Sequence, residues 1–258
     1  MLQGRVILLT GVGPGMGRSV ALALARQGAA LALGARTEAR LHEVAREVAA
    51  LGVPVLARST DLTDPVACQA LVDEAVARFG RLDGVVQNGH HEGDWSTVED
   101  AVPASWREVM DVNFFGALHL VQSAIPRLRE GGGSIVLVNS GAAVRAPATM
   151  GAYSASKAAL ASLTCTLANE LGRDQVRVNG VYLGPVLGDN LLRAGGAAAA
   201  AAGTSLDAWL ESKAAELPLQ EVPTPDQCAG IVVFLCSELA AAVTGQNIAV
   251  NGGQWTTQ

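Results

Sequence analysis

The sequence predicts an α/β fold: one domain in which a seven-stranded parallel sheet carries helices on both faces. Three observations lead there. Short apolar runs alternate with longer runs rich in Ala and Leu, the order expected of strand–helix–strand units. The first short run, Arg5 to Thr10, is apolar at successive positions rather than at every second one, the look of a strand buried on both faces. Half of the 258 residues are hydrophobic but only 4% are aromatic, which suits small-residue helices lying close on a sheet. No linker, composition break or internal repeat divides the chain, so residues 1–258 read as a single domain.

Taken in order, Arg5 to Thr10 is an apolar run stopped by glycines and reads as the first strand. Gly11-Val-Gly13-Pro-Gly15-Met16-Gly17 follows and leads into a helical run, Arg18 to Gln27. A second strand, Ala30 to Ala35, ends at Arg36, and a helix runs from about Glu38 to Leu51. Val53 to Ser59 is the third strand. Asp64-Pro65 then has the form of an N-cap with Pro in the first helical turn. Leu82 to Gln87 is the fourth strand, running into Asn88-Gly89-His90, and Ala104 to Arg129 reads as one long helix. Ser134 to Ser140 is the fifth strand, Tyr153 to Arg173 a helix, and Val176 to Tyr182 the sixth strand. From Gly184 to about Glu216 the chain reads as irregular or loosely helical. Alanine in Ala197 to Ala202 favours helix, whereas Gly195-Gly196 favours movement, so the stretch is expected to be a substrate-side lid. Asp226 to Ser237 is a last helix and Asn247 to Val250 the seventh strand.

The totals exclude several functions. The net charge is −6 and no basic run occurs, so a nucleic-acid footprint is missing. No apolar stretch reaches the length of a membrane span, and Met1 to Arg5 lacks a signal-peptide layout. Cys68, Cys165, Cys228 and Cys236 lie far apart and read as thiols in a reducing compartment. The expectation is a soluble cytoplasmic protein. His90-His91 lacks the spacing of a metal site, so lining of a pocket or surface placement is the better reading, and no metal is expected.

Two stretches carry chemistry. Glycines between a strand and a helix let backbone N–H groups approach a pyrophosphate at the helix N-terminus, where the dipole favours negative charge. On the later helix, Tyr153 and Lys157 are four residues apart and so share a face. A phenol is a poor acid or base at neutral pH, and a neighbouring cation is expected to lower its pKa. Ser140, ending a strand, can place a hydroxyl beside the phenol.

These motifs, in their order along the chain, resemble those of the short-chain dehydrogenase/reductase family, over about Val6 to Gly253. Thr10-Gly11-Val-Gly13-Pro-Gly15-Met16-Gly17 resembles the family's cofactor turn, Asp61-Leu62 its adenine-contacting pair, and Gln87-Asn88-Gly89-His90 its Asn-Asn-Ala-Gly strand end. Asn113, Ser140, Tyr153 and Lys157 match its catalytic tetrad, and Gly184-Pro185-Val186 and Gly252-Gly253 complete the pattern. The resemblance implies a doubly wound Rossmann fold and hydride transfer between NAD(P) and a small apolar ketone or secondary alcohol. It assigns Tyr153 as general acid or base, Ser140 as the partner of the reacting oxygen, Lys157 as the holder of the nicotinamide ribose, and Asn113 as an aid to a water in the proton path. Without it, Asp61 reads equally well as a turn residue. Trp95, Ala142, Leu187, Leu191 and Trp209 fall in segments expected to flank substrate. The resemblance also implies a homotetramer. A same-fold epimerase or dehydratase, and a cofactor-binding regulator without turnover, are the alternatives.

Three departures qualify the match. Gln87 and Gly89-His90 alter the strand end. Gly188 stands where many relatives have the threonine that holds the nicotinamide carboxamide, leaving Asp189 or Asn190 for that task. Asn251 replaces a more usual Asp. The coenzyme is expected to be NADP(H) in preference to NAD(H). Ala35 stands where an acidic side chain would repel the extra phosphate, and Arg36 can grip that phosphate.

Overall fold

The computed structural model describes residues 1–256. Seven parallel strands form one sheet: β1 (Val6–Thr10), β2 (Ala30–Ala35), β3 (Val55–Ser59), β4 (Gly84–Gln87), β5 (Gly133–Ser140), β6 (Val176–Leu183) and β7 (Asn247–Val250). Their order is β3-β2-β1-β4-β5-β6-β7. Parallel neighbours need helical crossovers, and these cover the sheet on both sides. On one face lie α1 (Met16–Arg26), α2 (Glu38–Ala50) and α10 (Pro225–Cys236), whose Val20, Leu24, Leu41, Val44 and Val232 pack with Ile7, Leu9 and Leu33. On the other lie α3 (Pro65–Phe79), α5 (Gly116–Leu128) and α7 (Gly151–Leu171), whose Leu71, Leu120, Leu160 and Leu167 pack with Leu8, Val85 and Leu137. Every residue of β1 is buried, which is why its sequence is apolar without alternation. Asp64 caps α3 as its spacing predicts, accepting from Val66 N.

Strand order reverses direction between β1 and β4, so the loops leaving their C-terminal ends diverge and open a crevice. The two loops touch at its floor. A side chain on Gly11, whose φ is 73°, would collide with Gly89 N, so only glycine permits this approach.

The structure departs from the sequence reading in three places. The helix expected from Ala104 to Arg129 is α4 (Pro103–Met110) and α5, joined by a π-helical turn at Asp111–Phe115 that contains Asn113. Such single wide turns recur at functional sites because they re-aim one side chain. A short helix, α6 (Ala142–Arg145), intervenes between β5 and α7. The segment expected to be an irregular lid forms α8 (Asp189–Ala201) and α9 (Leu206–Ala215). There the alanines prevail, and the Trp209 ring lies where a side chain at Gly195 would be.

Candidate active site

A cleft of about 850 Å³ opens along the C-terminal edge of the sheet. Its cofactor end is the turn between β1 and α1. Gly13 and Gly15 have open space where a side chain would point, Gly15 has φ 84°, and α1 begins at the next residue. That bare backbone at a helix N-terminus fits a dinucleotide pyrophosphate. Met16, Gly17, Arg36, Asp61, Leu62, Asn88 and Gly89 line the same half, as do Gly184, Pro185 and Val186 further along. Asn88 Nδ2 donates to Gly11 O at 2.9 Å and so clamps the two loops together. Asp61 is fixed by Thr63, whose backbone N–H donates to it at 2.9 Å. That bond, the Thr63 hydroxyl and the nearby Arg36 hold its carboxyl below the usual range, against a smaller desolvation effect.

Ser140, Tyr153 and Lys157 share one wall of the cleft. Ser140 ends β5, where Asn139 Oδ1 accepts from its N–H at 2.9 Å. Its Oγ accepts from Ala142 N at 3.2 Å, which leaves the hydroxyl proton free to donate. Lys157 is fully enclosed, and Nζ donates to Val138 O at 3.0 Å. Nζ also lies 5.6 Å from the centre of the Tyr153 ring.

Burial dominates the electrostatics of this pair. Burial pushes the Tyr153 phenol up to about 12, Ser140 pulls against that, and Glu92 adds to it. Burial likewise pushes the Lys157 ammonium down to about 8. At neutral pH the pair is a protonated phenol beside an ammonium.

Asn113 stands behind the wall rather than in the cleft. Its amide oxygen accepts from His91 N at 2.7 Å, and Nδ2 donates to His91 O and Ser156 Oγ, both at 2.9 Å. The Ser156 hydroxyl in turn donates to Tyr153 O at 2.8 Å. Asn113 thus ties the loop after β4 to the helix that carries the tyrosine. Both hydrogens of its amide nitrogen are engaged, and its oxygen keeps one lone pair.

Trp95, Ala142 and Leu191 line the cleft, as do Gly188, Asp189 and Asn190. Leu187 and Trp209 do not line it; Trp209 packs on α8 at Gly195. Arg193 on α8 donates to Glu92 at 2.9 Å and joins α8 to the loop after β4. Sequence reasoning missed Arg40, Arg145, Met150 and Gln254, all of them on the cleft wall. Arg40 carried a signal, since it follows Arg36 by four residues at the start of a helix. Gln254 carried none, because a terminal segment reaches the cleft only through tertiary packing. Next to it, the Trp255 ring occupies the space a side chain at Gly141 would fill. Among the described residues, no group of three or more His, Cys, Asp or Glu side chains could hold a metal ion.

Known proteins share this architecture and sequence. A family model described as Enoyl-(Acyl carrier protein) reductase matches residues 11–254. An oxidoreductase of Methylorubrum extorquens is 36% identical over 254 residues, covering 98% of each chain. The 7alpha-hydroxysteroid dehydrogenase of Escherichia coli K12 is 30% identical over 254 residues, covering 98% of this chain and 94% of that one. The crystal structure of L-sorbose reductase from Gluconobacter frateurii, complexed with NADPH and L-sorbose, superposes with a TM-score of 0.93 at 32% identity, covering 100% of this chain and 98% of that one. Similarity at this level over the whole length leaves one assignment: the chain belongs to the short-chain dehydrogenase/reductase family, NAD(P)-dependent oxidoreductases.

Proposed function

We propose that the protein is a cytoplasmic, NADP(H)-preferring carbonyl reductase or alcohol dehydrogenase of small ketones and secondary alcohols. The observation that carries this is Ser140, Tyr153 and Lys157 on one wall of a cleft whose far end is a bare glycine turn. A nicotinamide bound there supplies or accepts the hydride. Tyr153 gives its phenolic proton to the carbonyl oxygen in reduction, and that oxygen also accepts a hydrogen bond from Ser140. Lys157 holds the ribose, and Asn113 keeps the loop after β4 in register with Tyr153. Helix α8 lines the substrate half, with Arg193 and Glu92 as its tie to the opposite wall. Trp95, Ala142, Met150 and Leu191 make part of that half apolar, which suits a substrate with a hydrocarbon body. The relatives named for a hydroxysteroid and for L-sorbose have very different bodies around a carbinol or carbonyl, so this common group is the class proposed. The free thiols of Cys68, Cys228 and Cys236, all buried, suit a reducing compartment. A panel of ketones and alcohols assayed with both coenzymes, followed by nicotinamide absorbance, tests the reading. Failure of every pair would refute it.

The coenzyme preference rests on Arg36 and Arg40, which line the cleft beside Ala35 with no acidic side chain at that position. One charge-assisted contact of about 1.5–3 kcal/mol corresponds to a preference for NADPH of about tenfold to a hundredfold. Arg36→Ala is expected to raise KM for NADPH by that factor and leave KM for NADH nearly unchanged. Equal or better kcat/KM with NADH in the unmodified enzyme would show the preference to be wrong.

A homotetramer is the proposed assembly. Val102 is 60% and Phe115 43% exposed at the two ends of α4 and its π-helical turn, and Trp106 and Met110 line a shallow hollow beside Phe115. Apolar side chains grouped this way suit burial between copies of the chain. Light scattering at micromolar concentration should give four times the chain mass, and a monomer mass would refute the assembly.

A further inference from the structure

Building on the carbonyl-reductase reading, we propose that His90 is a specificity-determining residue, a hydrogen-bond acceptor that selects ketones bearing a hydroxyl on the carbon next to the carbonyl.

Three pins hold the backbone around this residue. Gln87 Nε2 donates to Gly89 O at 2.7 Å, and Asn88 Nδ2 to Gly11 O at 2.9 Å. The Asn113 amide then holds His91 from both sides, accepting from its N–H and donating to its carbonyl. A residue bracketed in this way presents its ring in one place, as a selective contact requires. The imidazole stands edge-on to the Tyr153 ring, with centroids 6.5 Å apart and planes at 68°. It therefore lies beside the phenol that serves the reacting oxygen, within reach of a substituent on the neighbouring carbon.

His90 belongs to the cleft wall and is exposed, yet its surroundings are those of an interior. Both are true because its free surface faces the cleft while protein packs around the rest of the ring. Desolvation there, with the Lys157 charge second and His91 a lesser influence, pushes the imidazole down to about 4, against the Asn88 carbonyl. The ring is neutral at physiological pH and so has one donor and one acceptor nitrogen. Asn88 O lies 3.5 Å from Nδ1 and favours the proton on that nitrogen, which leaves the Nε2 lone pair as the acceptor. A simple ketone has no proton to offer it. A hydroxyl on the adjacent carbon does. A ligand seated against His90 displaces water from that acceptor, and one without the hydroxyl leaves it unmet, so the site discriminates against the deoxy substrate.

The test compares kcat/KM within two matched pairs, 1-hydroxybutan-2-one against butan-2-one and 2-hydroxycyclohexanone against cyclohexanone, with NADPH and NADH. The unmodified enzyme should favour the hydroxyl-bearing member of each pair. His90→Phe fills the space without a lone pair and should lower that ratio about tenfold. His90→Gln keeps an acceptor oxygen and should restore most of it. His90→Leu repeats the loss with a smaller side chain should the Phe variant fail to bind coenzyme by fluorescence titration. A ratio unchanged in both apolar variants, or an unmodified enzyme without the hydroxyl preference, overturns the proposal and leaves the carbonyl-reductase reading standing. Reduction of none of the four ketones would remove that reading as well.

Discussion

Tyr153→Phe is expected to lower kcat by about 10²–10⁴-fold, the usual contribution of a positioned acid or base, while coenzyme affinity stays near its original value. The substitution deletes one hydroxyl. The ring stays edge-on to His90 and beside Lys157, so the fold of the wall should survive. A pH signature accompanies the loss. With the phenol pushed up to about 12, it is protonated across the physiological range. Reduction needs that proton and should vary little with pH near neutrality. Oxidation needs the phenolate, so its rate should climb as pH rises, and the climb should vanish in the variant. Near-normal turnover by Tyr153→Phe on a true substrate would sink the mechanism.

What could be read from sequence follows from which forces act locally. Strands buried on both faces have no choice but to be apolar throughout, so β1 and β4 were legible, and the glycine turn was legible because it falls between a strand and a helix. The π-helical turn at Asp111–Phe115 was not. One additional residue in a helical turn leaves the apolar pattern almost unchanged, while it decides where Asn113 points. Gly195 was ambiguous in another way. Glycine marks either freedom or a close approach, and only the Trp209 ring from the next helix tells which. His90 was legible as a pocket residue but not as a neighbour of Tyr153, since 63 residues separate them in the chain and the sheet alone brings them together. The shifts that burial imposes on Tyr153 and Lys157 were out of reach for the same reason. Helical spacing reveals that two groups face the same way, but desolvation depends on what is packed around them.

Lys157→Met should remove turnover by about 10²-fold or more and, in the ligand-free protein, raise stability. The lysine is enclosed among α7, β5 and the cleft wall, with Val138 O as a hydrogen-bond acceptor for Nζ. Its shift from 10.5 to about 8 means that keeping it charged at neutral pH costs about 3 kcal/mol at 1.36 kcal/mol per unit. Met fills a similar volume without charge. It leaves Val138 O without that donor, a loss of about 1–2 kcal/mol, so the net gain is about 1–2 kcal/mol. At about 2–4 °C per kcal/mol for a chain of this size, the melting temperature at pH 7 should rise by several degrees. The sign with pH follows from the depressed pKa. Between pH 8 and 10.5 the unfolded chain binds more protons at this site than the folded one, so the unmodified protein gains stability from it as pH rises. The variant's advantage is therefore complete below about pH 8 and fades as pH approaches 10.5. Melting curves of both proteins at several pH values, without coenzyme, read this directly. A variant that melts lower at pH 7, or an advantage independent of pH, would show that the ammonium is not held at the cost its burial implies. The combination of lost turnover with gained stability is what separates a lysine kept for chemistry from one kept for structure, because a structural residue has no reason to destabilise the fold it serves.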